Sequence, residues 1–107
     1  MKLIQAVVEP EAIHRVQEEL SRVEVFRATI GDVRILKRND ADSRVMTFET
    51  RPGIRLEIAV NENFVKPTLD ALYRALDDEN GESGTLYVLP LKDAIRIRTG
   101  ERGPEAI

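Results

Sequence analysis

The sequence contains no cysteine, and that one absence removes disulfides, thiolate metal sites and cysteine nucleophiles together. Histidine is nearly absent too. His14 stands alone, and one imidazole cannot build a multi-histidine metal site, so it reads as a solvated residue on a helix flank. The acidic pairs and runs, Glu18-Glu19 and Asp77-Asp78-Glu79, read as solvated helix faces and ends. No nucleophile has a histidine partner, so no catalytic set emerges and the chain reads as a non-enzyme. Long apolar stretches are missing. Residues 1–8 are apolar, but Glu9-Pro10-Glu11 ends the run, which lacks a signal-peptide cleavage pattern and is too short to cross a bilayer. A cytoplasmic protein without direct membrane insertion is the expectation. A strong charge of one sign is also missing. Sixteen basic and 19 acidic side chains leave a net charge of −3, which provides no broad field for nucleic acid or an anionic membrane. Any anion site must be local.

What is present is one domain. A chain of 107 residues buries roughly 60–70% of the surface its unfolded form exposes, enough for a single core. Residues 3–8 are short, apolar and rich in β-branched side chains, which predicts a central strand buried on both faces. From Pro10 the period changes. Ile13, Val16, Leu20 and Val23 form one stripe, with Glu11, Arg15, Glu18, Glu19 and Arg22 between them, predicting an amphipathic helix with Pro10 in its first turn. Residues 25–38 read as a long strand. Phe26, Ala28 and Ile30 alternate inward, and after Gly31-Asp32 the alternation resumes at Val33 and Ile35 with reversed parity, predicting a bulge or bend at Gly31. Residues 39–44 are a polar loop and 45–50 a returning strand.

Pro52-Gly53 then opens a period-2 strand through Ile54, Leu56, Ile58 and Val60, with Arg55 and Glu57 on its other face. A second helix follows, with Asn63 as its N-cap, Pro67 near its first turn and Val65, Leu69, Leu72 and Leu76 as its stripe. Residues 77–84 form a turn-rich loop, 85–91 a strand and 95–98 a short last strand before an irregular tail. The order β-α-β-β-α-β predicts an α+β, ferredoxin-like sandwich, with two helices on one side of a four-stranded antiparallel sheet and a short C-terminal strand. That architecture hosts many functions. An RNA-binding version needs aromatic side chains on its open face, and Ile54-Arg-Leu-Glu-Ile58 supplies none.

The C-terminal run Ala94-Ile-Arg-Ile-Arg-Thr-Gly-Glu-Arg-Gly-Pro-Glu-Ala-Ile107 resembles the signature of PII nitrogen-regulatory signal-transduction proteins. Residues 1–10 are similar to that family's first strand and following proline, 54–60 to its third strand and 84–88 to its fourth. The likeness runs over nearly the whole chain, a single PII-like domain of residues 1–107. It implies a homotrimer that binds ATP or ADP in clefts between subunits, with AMP a third candidate. In the family 2-oxoglutarate joins the nucleotide through magnesium, and a long T-loop docks onto a membrane transporter or metabolic enzyme.

Carried over residue by residue, Arg96 and Arg98 match the paired arginines that hold nucleotide phosphates. On a strand, positions i and i+2 project from one face, and guanidinium forks suit phosphate oxygens. Arg38 sits where a phosphate-contacting arginine enters the T-loop, and Thr29 and Glu57 match positions near the nucleotide. The bland alternatives stay open: a solvated basic face, a strand threonine, an exposed carboxylate. Glu82, Ser83, Gly84 and Thr85 align with the family's phosphate-cradling Gly-Asp-Gly-Lys. Gly84 is retained, but the lysine has become Thr85, and losing a charge-assisted contact costs roughly 1.5–3 kcal/mol. The expectation is nucleotide binding that is weak or favours fewer phosphates.

In the T-loop the resemblance departs further. Ile35 and Lys37 replace glycines, the loop is shorter, Asn39 stands where a glutamine helps hold magnesium, and Gly53 stands where a lysine pairs with the oxoacid. Little 2-oxoglutarate binding and no resident metal are expected. The tyrosine uridylylated in some members is missing, since Tyr73 falls on the second helix and Tyr87 in a strand. Two readings remain: a nucleotide sensor signalling through residues 39–50, and a trimeric adaptor whose nucleotide cleft is vestigial and takes no ligand.

Overall fold

Every second residue of the first strand, Ile4, Ala6 and Val8, is buried, and the layer they begin is the core of the fold. The structure is a computed structural model describing residues 1–39, 44–77 and 84–107. Strands β1 (Lys2–Val8), β2 (Thr29–Asn39), β3 (Thr47–Val60) and β4 (Leu86–Pro90) form one antiparallel sheet in the order β2-β3-β1-β4. Directly paired residues share a face, so the pairs Ile4–Ile58 and Ala6–Leu56 point the same way. Helices α1 (Ile13–Arg22) and α2 (Glu62–Leu76) cover that face, closing Val16, Leu20, Ala71, Leu72 and Ala75 over Ile4, Leu56, Ile58 and Val60. The ferredoxin-like arrangement is the observed one.

The other face of the sheet is open in the single chain. β1 is central, as expected, but it is buried on one side only: Leu3 and Gln5 are half-buried and Val7 is exposed. Tyr87 and Leu89, opposite Gln5 and Leu3 on β4, are exposed on the same face.

β2 carries no bulge. Thr29–Asn39 pairs residue for residue with the stretch from Glu57 back to Thr47, and Gly31 sits opposite Arg55 in unbroken register. The parity of the apolar residues reverses because they change faces. Ile30 lies on the helix side with Leu56, whereas Val33 and Ile35 lie on the open side. Phe26 and Ala28 precede the strand altogether.

Ile35 folds over Gly53. A Cβ on Gly53 would lie 2.7 Å from Ile35 Cδ1 and 3.3 Å from Val7 Cγ1, so the bare backbone here seats two apolar side chains. β3 consequently runs through Pro52-Gly53 as one strand of 14 residues instead of breaking there. Proline is tolerated because β1 ends at Val8, opposite Ile54, leaving residues 47–53 with a free edge. Beyond that point β2 and β3 pair only with each other, as a two-stranded ribbon.

α2 begins earlier than expected. Asn61 is its N-cap, Asn63 lies inside it, and Pro67 is interior to the helix, where its missing N–H leaves the Asn63 carbonyl without an intrahelical donor. The small residues Ala71 and Ala75 and the buried Thr68 join Leu72 at the centre of its packed face, while Val65, Leu69 and Leu76 line the margin. Glu19 is not a solvated carboxylate. It is half-buried and joins the two helices, accepting from Arg22 at 3.2 Å and from Arg74 Nε at 3.1 Å. The last short strand is reduced to a single bridge, Ile95 to Arg102, closing a turn.

Gly53→Ala is expected to destabilise the chain by about 1–3 kcal/mol, the usual cost of overpacking. Ile35→Ala removes the colliding atoms, so in thermal melts the double variant should be more stable than the two single losses add up to. Simple additivity would show that Ile35 is not the obstacle.

Candidate functional site

α1 ends with a sharp change of direction. The Val25 N–H donates to the Leu20 carbonyl at 3.0 Å, and Glu24 takes φ of 62°, a left-handed conformation unusual for a residue with a side chain. Residues 25–28 are thereby thrown outward as one wall of a groove of about 820 Å³. The far half of β3 forms its floor, and the C-terminal segment forms the other wall. Thr29, Glu57 and Arg96 all line this groove, together with Arg27, Asn61 and Phe64.

The β2–β3 register sets Thr29 directly opposite Glu57. The Glu57 carboxylate accepts from Gln5 Nε2 at 3.3 Å and pairs with Arg55 Nε at 3.3 Å, so it is held in place on the open face. The C-terminal wall is built from crossed backbone bonds. The Arg96 N–H donates to the Glu101 carbonyl at 2.9 Å, Gly100 N–H to the Arg96 carbonyl at 2.7 Å, and Gly103 N–H to the Ala94 carbonyl at 2.9 Å. Gly100 and Gly103 take φ of 75° and 72°, which a Cβ would strain. Asp93 closes the base, accepting from the Arg102 guanidinium and from the Ala94 N–H. Hydrogen bonding from Arg102, and then from the backbone, holds its carboxyl below the ordinary aspartate range. The tail is docked by Asn61, whose Nδ2 donates to the Pro104 carbonyl at 3.0 Å.

The eight expected site residues separate into groups. Thr29, Glu57 and Arg96 come together in the groove. Arg98 does not line it: residues 97–99 are a turn and not a strand, so Arg96 and Arg98 do not project side by side from a pleated surface. Gly84 and Thr85 lead into β4, at the opposite edge of the sheet from β2. Three strand spacings, about 14 Å, separate those edges. Gly84 approaches β1 so closely that a Cβ would sit 2.8 Å from the Val7 carbonyl oxygen, a position only glycine fills without shifting backbone. Arg38 lies on the ribbon opposite Phe48. Ser83, like Glu82, lies outside the described residues. Gly53 is buried beneath Ile35, so a longer side chain at this position would have to displace Ile35 and crowd Val7.

Sequence reasoning missed Arg27, Asn61 and Phe64. Asn61 precedes a helix and has the residue type of an N-cap, a signal that was present; Arg27 and Phe64 enter the groove only through the tertiary fold.

The sequence matches the model of the family "Nitrogen regulatory protein P-II" over residues 1–101. The chain belongs to the P-II family. Over its full length it is 39% identical to nitrogen regulatory protein GlnK1 of Methanosarcina mazei, covering 97% of that protein. It is 29% identical to nitrogen regulatory protein P-II of Bradyrhizobium diazoefficiens, with both chains fully covered. A solved B. subtilis GlnK–ATP complex superposes with a TM-score of 0.86 at 24% identity, covering 99% of this chain and 94% of that one. P-II proteins are regulators of signal transduction and not enzymes. Among the described residues, no helix is long and apolar enough to cross a membrane.

Because folding lowers the pKa of Asp93, its clamp on Arg102 contributes above the ordinary aspartate range and is lost as pH falls through and below it. Asp93→Asn should mimic the acid state at neutral pH. Hydrogen exchange at the amides of Arg96 and Gly103 is expected to speed up in the variant while the β1 amides stay protected. Unchanged exchange at Arg96 would show that the crossed backbone bonds hold this wall without Asp93.

Proposed function

We propose that this P-II chain is an adenine-nucleotide sensor, working in the cytoplasm as a homotrimer and controlling a transporter or metabolic enzyme through residues 39–50. The observation that carries the reading is the groove that gathers Thr29, Glu57 and Arg96. An arginine beside a hydroxyl and a carboxylate, with Phe64 and Ala59 for apolar contact, suits a nucleotide: cation for phosphate, polar groups for ribose or base, apolar surface for the ring. The solved B. subtilis relative is a GlnK–ATP complex, which supports an adenine nucleotide as the effector.

A trimer accounts for two further features. The open face of the sheet exposes Val7, Tyr87 and Leu89, and Ile97 is 99% exposed in the single chain, surface that association would cover. The expected phosphate-contacting groups also stand at opposite edges of one sheet, so a cleft holding both would draw them from two copies. Thr85 offers a hydroxyl where a lysine would offer charge, which favours modest affinity. The buried Gly53 provides no cation for 2-oxoglutarate, so the nucleotide alone carries the signal.

Mass measurement by light scattering is expected to give three chains per particle. Thermal melts should rise with ATP or ADP. Ligand at 100 times its dissociation constant adds about 2.7 kcal/mol, a shift of several degrees for a domain of this size. Arg96→Ala should remove most of that shift, and Arg98→Ala should also reduce it if a neighbouring copy receives that side chain. Flat melts with ATP, ADP and AMP in a folded trimer would leave a ligand-free adaptor as the function.

A further inference from the structure

Arginine side chains in this protein are mostly engaged. Arg22 and Arg74 share Glu19, Arg34 donates to Thr50, Arg51 pairs with Glu9, Arg55 pairs with Glu57 and Arg102 with Asp93. Among the described residues the side chains of Arg27 and Arg96 have no hydrogen-bond or ion-pair partner; those of Arg15 and Arg98 have none either, but neither lines the groove. Arg27 and Arg96 both line it. Two guanidinium groups without internal partners, lining one groove from segments far apart in the chain, define a place for an anion more firmly than either does alone.

Glu24 and Glu57 line the same groove, and Glu57 is already ion-paired with Arg55 while accepting a hydrogen bond from the Gln5 amide. That leaves two cations facing one uncommitted carboxylate, Glu24. Nothing in the local fold calls for arginine at position 27. It follows the exposed Phe26, precedes β2 and packs into no core cluster. A cation is lacking at Thr85, where the chain offers only a hydroxyl to a bound phosphate.

We infer that Arg27 is a ligand-binding residue of the groove, gripping the phosphate chain of the nucleotide together with Arg96. The inference rests on the nucleotide-sensing reading and adds a residue that sets how strongly the site distinguishes more phosphates from fewer. Its chemistry is that of a fixed fork: the guanidinium donates two parallel N–H bonds to phosphate oxygens, and each added phosphate offers it more acceptors and more charge.

Isothermal titration of the intact protein with ATP, ADP, AMP and adenosine tests this, using Arg27→Ala, Arg27→Lys and Arg15→Ala. Arg15 is an exposed helix arginine outside the groove and serves as the control. Arg27→Ala is expected to weaken ATP roughly 10-fold or more, the size of a lost charge-assisted contact, with smaller losses for ADP and AMP and none for adenosine. Arg27→Lys should recover part of the ATP affinity, and Arg15→Ala should leave all four ligands unchanged. Equal losses for all four ligands after Arg27→Ala would mean that the side chain stacks on the base, and would overturn the phosphate assignment. Unchanged ATP affinity in a variant with wild-type melting behaviour would remove Arg27 from the site. Absence of nucleotide binding by the unmutated protein is a different result, and would overturn the sensing reading itself.

Discussion

The unbroken pairing of β2 with β3 is the constraint on which the rest depends. Eleven consecutive pairs, from Thr29–Glu57 to Asn39–Thr47, hold two long strands at one spacing without a slipped residue. A one-residue slip would exchange the faces of every side chain on β2. Thr29 would then leave the face it shares with Glu57, and Ile35 would leave its seat over Gly53. The same register therefore sets the floor of the groove at one end and the course of the ribbon at the other. Gly53 is the place where this constraint is tightest, because Ile35 and Val7 both occupy the volume a side chain would need.

The helices serve this arrangement from one side only. Leu72 is fully buried against Ile4, Leu56 and Ile58, and side chains of this size each contribute about 1.5–3 kcal/mol by leaving water, while Ala71 beside them adds the smaller surface of one methyl. The opposite face of the sheet carries no such cover in a single chain. An apolar face of this kind belongs against protein, and a ferredoxin-like sheet with helices on one side has its other side available for self-association. One-sided packing thus leaves a whole face of the single chain open to association.

Much of this was legible in the sequence, where period and residue type coincide. Ile54, Leu56, Ile58 and Val60 alternate with Arg55 and Glu57, and β3 follows them residue by residue. Val16 and Leu20 mark the buried stripe of α1. The misreadings have physical causes. The parity change around Gly31 looks the same in sequence whether the backbone gains a residue or the apolar residues change faces, and only the partner strand decides. Pro52-Gly53 reads as a break, yet an edge without a neighbour tolerates proline and a crowded seat requires glycine. Asn61 and Asn63 are both of cap type, and the backbone distinguishes them: Asn61 is extended and its carbonyl accepts from the Phe64 N–H at 2.9 Å, with no side-chain cap bond. Of the groove residues, Thr29, Glu57 and Arg96 were all named through a family resemblance alone, and the pairing that sets Thr29 opposite Glu57 joins positions far apart in the chain. Arg27 was not, since nothing in a lone arginine before a strand shows which cleft it will border.

The dispersal of the expected site residues is itself informative about mechanism. If Thr29, Glu57 and Arg96 stood together with Gly84, Thr85 and Arg38 in one chain, ligand occupancy would concern that chain alone. Instead the sheet holds the first group near β2 and sends Gly84 and Thr85 to the β4 edge, with Arg38 out on the ribbon. A ligand that bridged such half-sites would bind only assembled copies, and by linkage it would strengthen the assembly to the same extent. It would also fix Arg38 relative to the groove, and Arg38 sits on the two-stranded ribbon directly opposite Phe48. Among the described residues the ribbon has no third strand beside it. If a nucleotide occupies the groove, the register that carries Thr29 continues without interruption into the strand that carries Arg38, and that continuity would be the route by which occupancy at the base altered the ribbon.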